Sequence, residues 1–334
     1  MQTKGENQDA GARPLYDRDM RFPVALPGPN SRSFDAVGFG LNTTDMLAVV
    51  PTHPLPGSKN PIERLEALPG GQAATAMTAC SRLGWRARYV GRFGDDQNGT
   101  AAMDCLRADG VDLTAAEVVA GASNAVSLIL VDALTGQRTV MWSRHPGLKQ
   151  RGPDVEAPAV TSGRILLVDG HDTEASTVAA RYARGNSTPT VVDVEYVRPG
   201  IDDLLEQIDF IITAQDFPTA LTGVGEMGAA LRAVFDRYRP ALVCATLGEE
   251  GSLAVTSDGE CRTPGFTVPA VDTTGAGDCF RGGFIAGWLL QGHGADIEDV
   301  LLYANAVAAL KCRALGARNG IPSREEVAAL IATS

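Results

Sequence analysis

Residues 271–278 read Val271-Asp272-Thr273-Thr274-Gly275-Ala276-Gly277-Asp278, and a long apolar run from Cys279 to Leu290 follows directly. The apolar run predicts a buried helix, which places the two glycines at its N-terminus. Unpaired backbone N–H groups and the positive end of the helix dipole converge at such a terminus, and glycine lets a ligand approach the backbone closely. The stretch therefore predicts an anion-binding site.

Asp278 adds a carboxylate to the first turn of this predicted helix. In a phosphoryl transfer, the carboxylate would take the proton from an attacking hydroxyl while the neighbouring amides absorb charge on the transferred group. Alternatively, the stretch is a capped helix with a stabilising aspartate in its first turn and no chemistry. The eight residues by themselves leave both interpretations open.

The overall composition is that of a folded globular protein with an acidic balance. The chain has 334 residues, of which 44% are hydrophobic and 21% charged, and its formal net charge is −11. This charge argues against a nucleic-acid partner and against an anionic membrane surface. The length allows one large domain or two. Residues 1–33 are polar and rich in Pro and Gly, so we predict a flexible N-terminal tail there.

The cysteines and histidines predict neither disulfides nor a zinc site. The six cysteines include no C-x-x-C pair and mostly stand in apolar runs, and the four histidines are far apart. The chain also has neither the ~20-residue apolar run of a membrane span nor a basic-then-apolar signal pattern. We therefore expect reduced, buried cysteines and a cytoplasmic location without a membrane partner.

Four short apolar runs follow one another in the second half of the chain, and helical patterns separate them. The runs are 165–169, 191–193, 210–213 and 242–246. Continuous apolar strands that alternate with helices indicate a parallel sheet covered on both faces. The predicted fold class is therefore α/β, with three α/β/α layers around a mostly parallel central sheet.

The first half of the chain has its own candidate ligand-binding features. A predicted strand over 35–40 leads into a polar segment with Asn42 and Asp45, at the edge where open α/β sheets bind ligands. Gly70-Gly71 then precedes a helix of small residues, where the pair either exposes backbone to a substrate or only makes a tight turn. The segments 125–131 and 138–142 predict a hairpin.

Two common nucleotide fingerprints are absent. The chain has no G-x-x-x-x-G-K-[ST] and no G-x-G-x-x-G after the first strand. Phosphate chemistry on this chain would therefore depend on backbone amides, a cation and Asp278.

Four motifs, in order, resemble those of the ribokinase or PfkB family of carbohydrate kinases. Residues 272–278 are similar to the family signature D-T-x-G-A-G-D, and Gly70-Gly71 is similar to its G-G signature. The glycines and acids of residues 91–99 match a third element, and Asp45 falls where the first strand supplies a sugar-binding aspartate. The resemblance implies one kinase domain over 34–332, with a small β-sheet lid from residues 46–66 and 120–146.

The resemblance also implies a role for individual residues. Asp278 would be the catalytic base, and the anion hole would be made by the amides of Gly275, Ala276 and Gly277. The acceptor would be held by Asp45, Asn42, Gly70, Gly71, Gln72, Thr75 and, from the lid, Arg144, unless this last residue is a solvated loop arginine. ATP would contact Thr246, Gly248, Gly251, Asn305 and Asp216. Mg²⁺ would assist the transfer, and Asp272 and Thr274 would hold a monovalent cation such as K⁺.

Departures from the family pattern fall at the acceptor and at the magnesium motif. Thr75 stands where the family usually has Asn, and Gln72 stands where fructose and ribose kinases place Asn or Lys. Residues 213–216 keep the acid of the N-x-x-E motif in Asp216 but not its Asn. The segments 192–195 and 242–245 resemble ketohexokinase.

The sequence, with this resemblance, therefore predicts an ATP-dependent kinase that phosphorylates a hydroxyl of a small carbohydrate. The resemblance also implies a homodimer that forms through the lid. Two alternatives stay open. The acceptor could be a nucleoside such as adenosine, or the chain could be a binding or regulatory protein that kept the fold and lost turnover.

Overall fold

The computed structural model describes residues 20–135 and 137–333. Within them, the strands are β1 (Phe34–Phe39), β2 (Thr43–Val50), β3 (Arg64–Gly70), β4 (Ala87–Val90), β5 (Arg92–Gly94), β6 (Glu117–Val119), β7 (Val126–Asp132), β8 (Arg138–Ser143), β9 (Gly163–Asp169), β10 (Thr190–Val194), β11 (Phe210–Thr213), β12 (Leu242–Thr246), β13 (Ser252–Val255) and β14 (Glu260–Thr263). The helices are α1 (Gln72–Arg82), α2 (Gln97–Ala108), α3 (Ala157–Val160), α4 (Thr173–Gly185), α5 (Ile201–Leu205), α6 (Phe217–Thr222), α7 (Met227–Tyr238), α8 (Ala276–Gln291), α9 (Ile297–Lys311) and α10 (Arg324–Ala332).

The central sheet has eight strands in the order β14-β13-β12-β11-β10-β9-β1-β4. The pairings from β4 across to β12 are parallel, and only β13 and β14 are added antiparallel at one edge. The four apolar runs of the second half of the chain are β9 to β12, which lie side by side in this sheet. The predicted α/β fold with a mostly parallel sheet is confirmed.

Strand β9 illustrates how the sequence builds three layers. Successive side chains of a strand point to opposite faces. Ile165 and Leu167 accordingly pack into a core with α1, α8 and α9, whereas Leu166 and Val168 pack into a second core with α4, α5 and α7. Because both faces are covered, the strand carries an unbroken apolar run and not an alternating pattern.

A second sheet, which we call the lid sheet, has the strand order β3-β2-β7-β8. The start of the predicted lid segment 46–66 lies in β2, and the predicted hairpin is β7 and β8, which pair antiparallel. Sequence reasoning missed β3, which ends in Pro69-Gly70. Proline removes a backbone donor and is tolerated in a strand at a sheet edge, which is where β3 lies.

The segment before β1 is packed where it is described. Residues 1–19 of the predicted tail lie outside the described residues, but Met20, Phe22 and Leu26 are buried in the α1/α8/α9 core. The Phe22 ring stacks on Trp288, with ring centroids 5.0 Å apart. Over residues 20–26 the chain therefore packs as part of the domain and not as a flexible tail, because the Met20, Phe22 and Leu26 side chains find places in the core.

The strand order also places the candidate site. From β1 the chain moves outward to β4, whereas from β9 it moves in the opposite direction through β10, β11 and β12. The carboxyl ends of β1 and β9 therefore form a switch point, where ligands bind in open α/β sheets. In the described parts of the chain, no helix is long and apolar enough to cross a membrane.

Candidate active site

Helix α8 begins at the glycine-rich stretch, as predicted. Gly275 caps the helix with φ 74°, and a Cβ on it would lie 2.8 Å from the Cα of Ala317. Both facts require glycine at this position. The Ala276 N–H donates to the Thr273 carbonyl at 3.1 Å, whereas no acceptor in the described part of the chain takes the N–H of Gly275 or Gly277. These two amides are the ones available to an anion in front of the helix.

Asp278 stands in the first turn of α8, directly after Gly277, and is half-buried. Burial, and then the negative charge of Glu195, raise the pKa of Asp278 to about 7, while Arg281 and Arg318 oppose the rise. A carboxylate with a pKa near neutrality is suited to accept a proton and to release it again. The cap interpretation alone would not require this environment.

An ion pair lies directly behind the anion-binding amides. Arg281, one turn after Asp278 on α8, is 3.0 Å from the carboxylate of Asp193 at the end of β10, and both side chains are fully buried. The guanidinium lies so close to the backbone of the helix N-terminus that a Cβ on Gly277 would be 2.5 Å from Arg281 Nη1. Burial raises the pKa of Asp193, against the Arg281 charge.

The Asp272 carboxylate organises the loop that leads into α8. Its Oδ1 accepts hydrogen bonds from the N–H and the hydroxyl of Thr274, at 2.9 and 2.8 Å, and its Oδ2 accepts from the Gly316 N–H at 2.7 Å. Burial raises the pKa of Asp272, but these hydrogen bonds and the nearby Lys311 outweigh it and hold the pKa below its usual value. The carboxylate is therefore ionised, and both of its oxygens accept hydrogen bonds.

The opposite side of the site is formed by Asp45 and the Gly-Gly turn. Asp45 in β2 is buried and accepts a hydrogen bond from the Thr43 hydroxyl at 2.8 Å. A Cβ on Gly70 would lie 2.1 Å from Asp45 Oδ2, and Gly71 has φ 93°. The two glycines are thus needed for the Asp45 carboxylate to lie against the turn. Burial raises the pKa of Asp45, although hydrogen bonds from Thr43 and Ser127 favour its ionised form.

Three further predicted acceptor residues surround this turn. Asn42 donates its amide N–H groups to Tyr89 Oη and to the Arg92 carbonyl, while its buried Oδ1 has no partner in the described part of the chain. Gln72 lines a small cavity together with Asp193 and Glu195. Thr75 is fully buried, and its hydroxyl accepts a hydrogen bond from Arg318 Nε at 3.2 Å. Among the described residues the Asn42 Oδ1 is thus left without a donor, whereas the Thr75 hydroxyl supports Arg318.

Comparisons with known proteins identify the family of the chain. Residues 35–324 match the family model described as pfkB family carbohydrate kinase. The chain belongs to the pfkB family of carbohydrate kinases.

The similarity is illustrated by two named relatives and one solved structure. The chain is 31% identical to the ATP-dependent ribose-1-phosphate kinase of Halopiger xanaduensis, over 78% of this chain and 86% of the relative. It is 27% identical to the nucleoside kinase of Methanothermobacter thermautotrophicus, over 89% and 95%. A crystal structure from Agrobacterium tumefaciens superimposes with a TM-score of 0.82 at 27% identity, over 90% and 98% of the two chains. This pfkB-family chain is a phosphotransferase with an alcohol acceptor.

The predicted nucleotide residues of this kinase lie together beyond the end of β12. Thr246 ends that strand, and Gly251, with φ 90°, packs so tightly that a Cβ would lie 2.2 Å from the Thr263 carbonyl. Asn305 on α9 donates to the Thr263 and Pro264 carbonyls at 3.2 and 3.1 Å. Asn305 therefore holds the segment against which the loop 246–251 packs.

Two predicted residues remain, Asp216 and Arg144. Asp216 is exposed at the start of α6, after the carboxyl end of β11. The Arg144 guanidinium forms two hydrogen bonds with the Asp172 carboxylate, at 2.9 and 2.7 Å, and a third with the Leu148 carbonyl. Arg144 is thus neither a solvated loop arginine nor open to a substrate in this conformation.

Sequence reasoning missed several charged residues of the site. Asp193 and Glu195 follow a strand at its carboxyl end, a position typical of ligand-facing acids, so the pattern could have identified them. Arg281 and Lys311 each interrupt an apolar helix, which indicates a buried charge with a partner. No local signal marks Arg318, whose contacts at Gly70 and Thr75 come from the opposite end of the chain.

Proposed function

We propose that this chain transfers the γ-phosphoryl group of ATP to a hydroxyl of a small carbohydrate, with Asp278 as the base. The observation that carries the proposal is the position of Asp278. Its carboxylate, with a pKa raised to about 7, belongs to the first turn of the helix whose N-terminus carries the unpartnered amides of Gly275 and Gly277.

These groups account for the bonds and the proton of the reaction. The acceptor oxygen forms a bond to the γ-phosphorus as the bond from phosphorus to the ADP oxygen breaks, and the hydroxyl proton passes to the Asp278 carboxylate. The Gly275 and Gly277 amides donate to the oxygens of the transferred group, where charge is redistributed. The buried Arg281 adds a fixed positive charge behind the same amides.

The residues present fit ATP and Mg²⁺. Thr246, Gly248, Gly251 and Asn305 would hold the nucleotide. When bound, Mg²⁺ balances the charge of the phosphate groups. Among the described residues no cluster of three or more His, Cys, Asp or Glu side chains could hold a metal by itself. This fits Mg²⁺, which usually keeps waters and takes one or two carboxylates plus substrate phosphates. Asp216 and Glu195 are exposed acids that follow strands at this edge of the sheet.

The acceptor would lie between the Gly-Gly turn and the inner face of the lid sheet. Asp45 and the free Oδ1 of Asn42 would accept hydrogen bonds from hydroxyls of the acceptor, and Gln72 would offer both donors and an acceptor. In the lid sheet, Ser127 pairs with Asp45 and Trp142 pairs with Ser127, so all three side chains share one face. Trp142 would then cover the acceptor from the lid.

An acceptor panel tests the proposal. ADP formation should be measured with ribose, ribose 1-phosphate, ketohexoses, sugar acids and nucleosides. We expect turnover with a sugar or sugar phosphate, and we expect Asp278→Asn to lower kcat by about 10²–10⁴-fold with ATP affinity retained. Asp203→Asn, an exposed aspartate in α5, is the matched control and should keep full activity.

Three results would contradict the proposal. Near-normal turnover by Asp278→Asn would exclude Asp278 as the base. Turnover confined to nucleosides would move the acceptor to the nucleoside class, and tight sugar binding without any turnover would make the chain a sugar-binding regulator.

We also propose that the chain forms a homodimer through the outer face of the lid sheet. Leu65, Leu128 and Met141 occupy this face and are 55%, 39% and 47% exposed. A contiguous apolar patch of this kind is typical of an interaction surface. Sedimentation should give a dimer, and Leu128→Asp should give a monomer; a monomeric parent protein would exclude this interface.

The proposed location is a reducing cytoplasm. All six cysteines are free, and five of them are buried. Formation of disulfides in the purified native protein under non-reducing conditions would argue against this location.

A further inference from the structure

A buried lysine lies next to the loop that supports the anion-binding amides. Lys311 ends α9 and is fully buried, and its Nζ donates a hydrogen bond to the Asp272 carbonyl oxygen at 2.8 Å. Asp272 is three residues before Gly275, the cap of α8. A buried amino group of this kind needs polar or negative neighbours, and besides the Asp272 carbonyl oxygen the nearby Asp272 carboxylate is one, because Lys311 helps to hold the pKa of Asp272 below its usual value. The lysine is therefore tied to the loop that leads into α8.

The oxygens of Asp272 are already hydrogen-bonded and have few lone pairs left for an added cation. Oδ1 already accepts two hydrogen bonds from Thr274, Oδ2 accepts one from Gly316, and the carbonyl oxygen accepts the one from Lys311. A K⁺ ion needs several oxygen atoms whose lone pairs point at one centre. All three oxygens of Asp272 already accept hydrogen bonds, one of them from the Lys311 side chain, so the Asp272 residue present does not fit the monovalent cation that the resemblance implies for Asp272 and Thr274.

We propose that the Lys311 ammonium serves in place of a monovalent cation at this loop, so that the enzyme does not depend on K⁺. The proposal rests on the function proposed above, because it assigns Lys311 a role in holding the anion hole for the transferred phosphoryl group. Lys311 acts through the 272–275 loop, as a positioning residue, and does not touch the reacting atoms.

The test compares the parent enzyme with Lys311→Met in buffers that contain either tetramethylammonium or K⁺ at equal ionic strength. We expect the parent turnover to change by less than about twofold on adding K⁺, and Lys311→Met to lose about tenfold without K⁺ and to recover part of this loss with K⁺ or NH₄⁺. Lys149→Met, which removes an exposed lysine, is the matched control and should behave as the parent.

Thermal unfolding gives a second readout that does not need turnover. A cation that binds only the native state raises the unfolding temperature by mass action. The parent protein should show no difference between K⁺ and tetramethylammonium, whereas Lys311→Met should be stabilised specifically by K⁺. This measurement separates the two proposals, because it stays informative even if no acceptor is phosphorylated.

Either of two results would overturn the inference. One is K⁺-specific stabilisation or strong K⁺ activation of the parent protein. The other is full turnover by folded Lys311→Met in K⁺-free buffer. Should Lys311→Met fail to fold, the parent measurements with K⁺ and tetramethylammonium decide the question.

Discussion

Nearby residues of opposite charge shift the pKa of Asp278 in opposite directions. Glu195 raises the pKa of Asp278 and Arg281 lowers it, on top of the larger effect of burial. The base must be ionised to accept a proton, so kcat/KM should fall as the pH drops through the pKa of Asp278, near 7. The pH profile is therefore a direct measurement of this environment.

Replacing the two neighbours should move the acidic limb of that profile in opposite directions. Glu195→Gln removes a negative charge, favours the ionised carboxylate and should shift the limb to lower pH. Arg281→Met removes a positive charge and should shift it to higher pH, with turnover at high pH partly retained. The measurement is kcat/KM from pH 5 to pH 9; shifts of the same sign in both variants would show that these charges do not act on Asp278.

Arg318 offers a second prediction at the acceptor. It donates to the Gly70 carbonyl at 2.5 Å and to Thr75, so it fixes the turn against which Asp45 lies. Arg318→Met should raise the KM for the acceptor by about tenfold, the loss expected for a charged hydrogen bond of ~1.4 kcal/mol, and leave the KM for ATP unchanged. Arg313→Met, which removes a half-exposed arginine paired with Glu326, is the control. Equal changes in both KM values would indicate general loosening of the fold.

The candidate site shows which residues a sequence can reveal. Asp278 and its glycines are adjacent in the chain, so their chemistry follows from a helix start and a short motif. Arg318 and Thr75 are 243 residues apart. Their contact depends on how α1 and the segment after α9 pack together, and no periodicity or spacing contains that information.

At the scale of elements, the lid sheet has two distinct faces. Asp45, Ser127 and Trp142 share one face, and Arg138 on the same face of β8 donates to the Thr273 hydroxyl at 3.0 Å. The inner face of the lid therefore contacts the glycine-rich stretch as well as the acceptor residues. Alternation along the hairpin predicted two different faces, but which face meets the site depended on the pairing of β7 with β2.

Trp142 should report acceptor binding. Its side chain is 69% exposed on the inner face, whereas Trp288 is buried. When Trp142 covers the acceptor, its side chain would be removed from water and its fluorescence would change. Titration with the acceptor should therefore give a saturable change in tryptophan fluorescence. Trp142→Phe should lose this signal and should raise the KM for the acceptor; a signal that persists in Trp142→Phe would come from another tryptophan.

At the scale of the whole molecule, the segment before β1 contributes side chains to the core between the central sheet and helices α1, α8 and α9. The Phe22 ring contacts those of Phe210, Phe284 and Trp288, with centroid distances of 5.2, 5.6 and 5.0 Å. Composition predicted mobility through residue 33 because polar residues, proline and glycine dominate the average. A single aromatic side chain with a place in the core outweighs that average.

Phe22→Ala should therefore destabilise the fold without changing the chemistry. Loss of a buried phenylalanine costs about 3–5 kcal/mol, which urea denaturation should detect as a lower midpoint. Below the unfolding transition, KM and kcat should stay near the parent values because Phe22 lies away from the site residues. Leu55→Ala, at a side chain that is 76% exposed, should leave the midpoint unchanged. An equally small effect of Phe22→Ala would show that the segment does not contribute to the core.

The glycines inside α8 have a consequence for how large an acceptor can be. A Cβ on Gly282 would lie 2.6 Å from Ala79 Cβ on α1, and a Cβ on Gly283 would lie 2.9 Å from Val307 Cβ on α9. With no side chain between them, these helices have no room to slide or to tilt apart. Helix α1 starts at the Gly-Gly turn and α8 starts at the anion hole, so the gap between the two ends of the site is of fixed width. The enzyme would then select its acceptor by length. A longer acceptor would be excluded from the site even if every one of its hydroxyls found a hydrogen-bond partner.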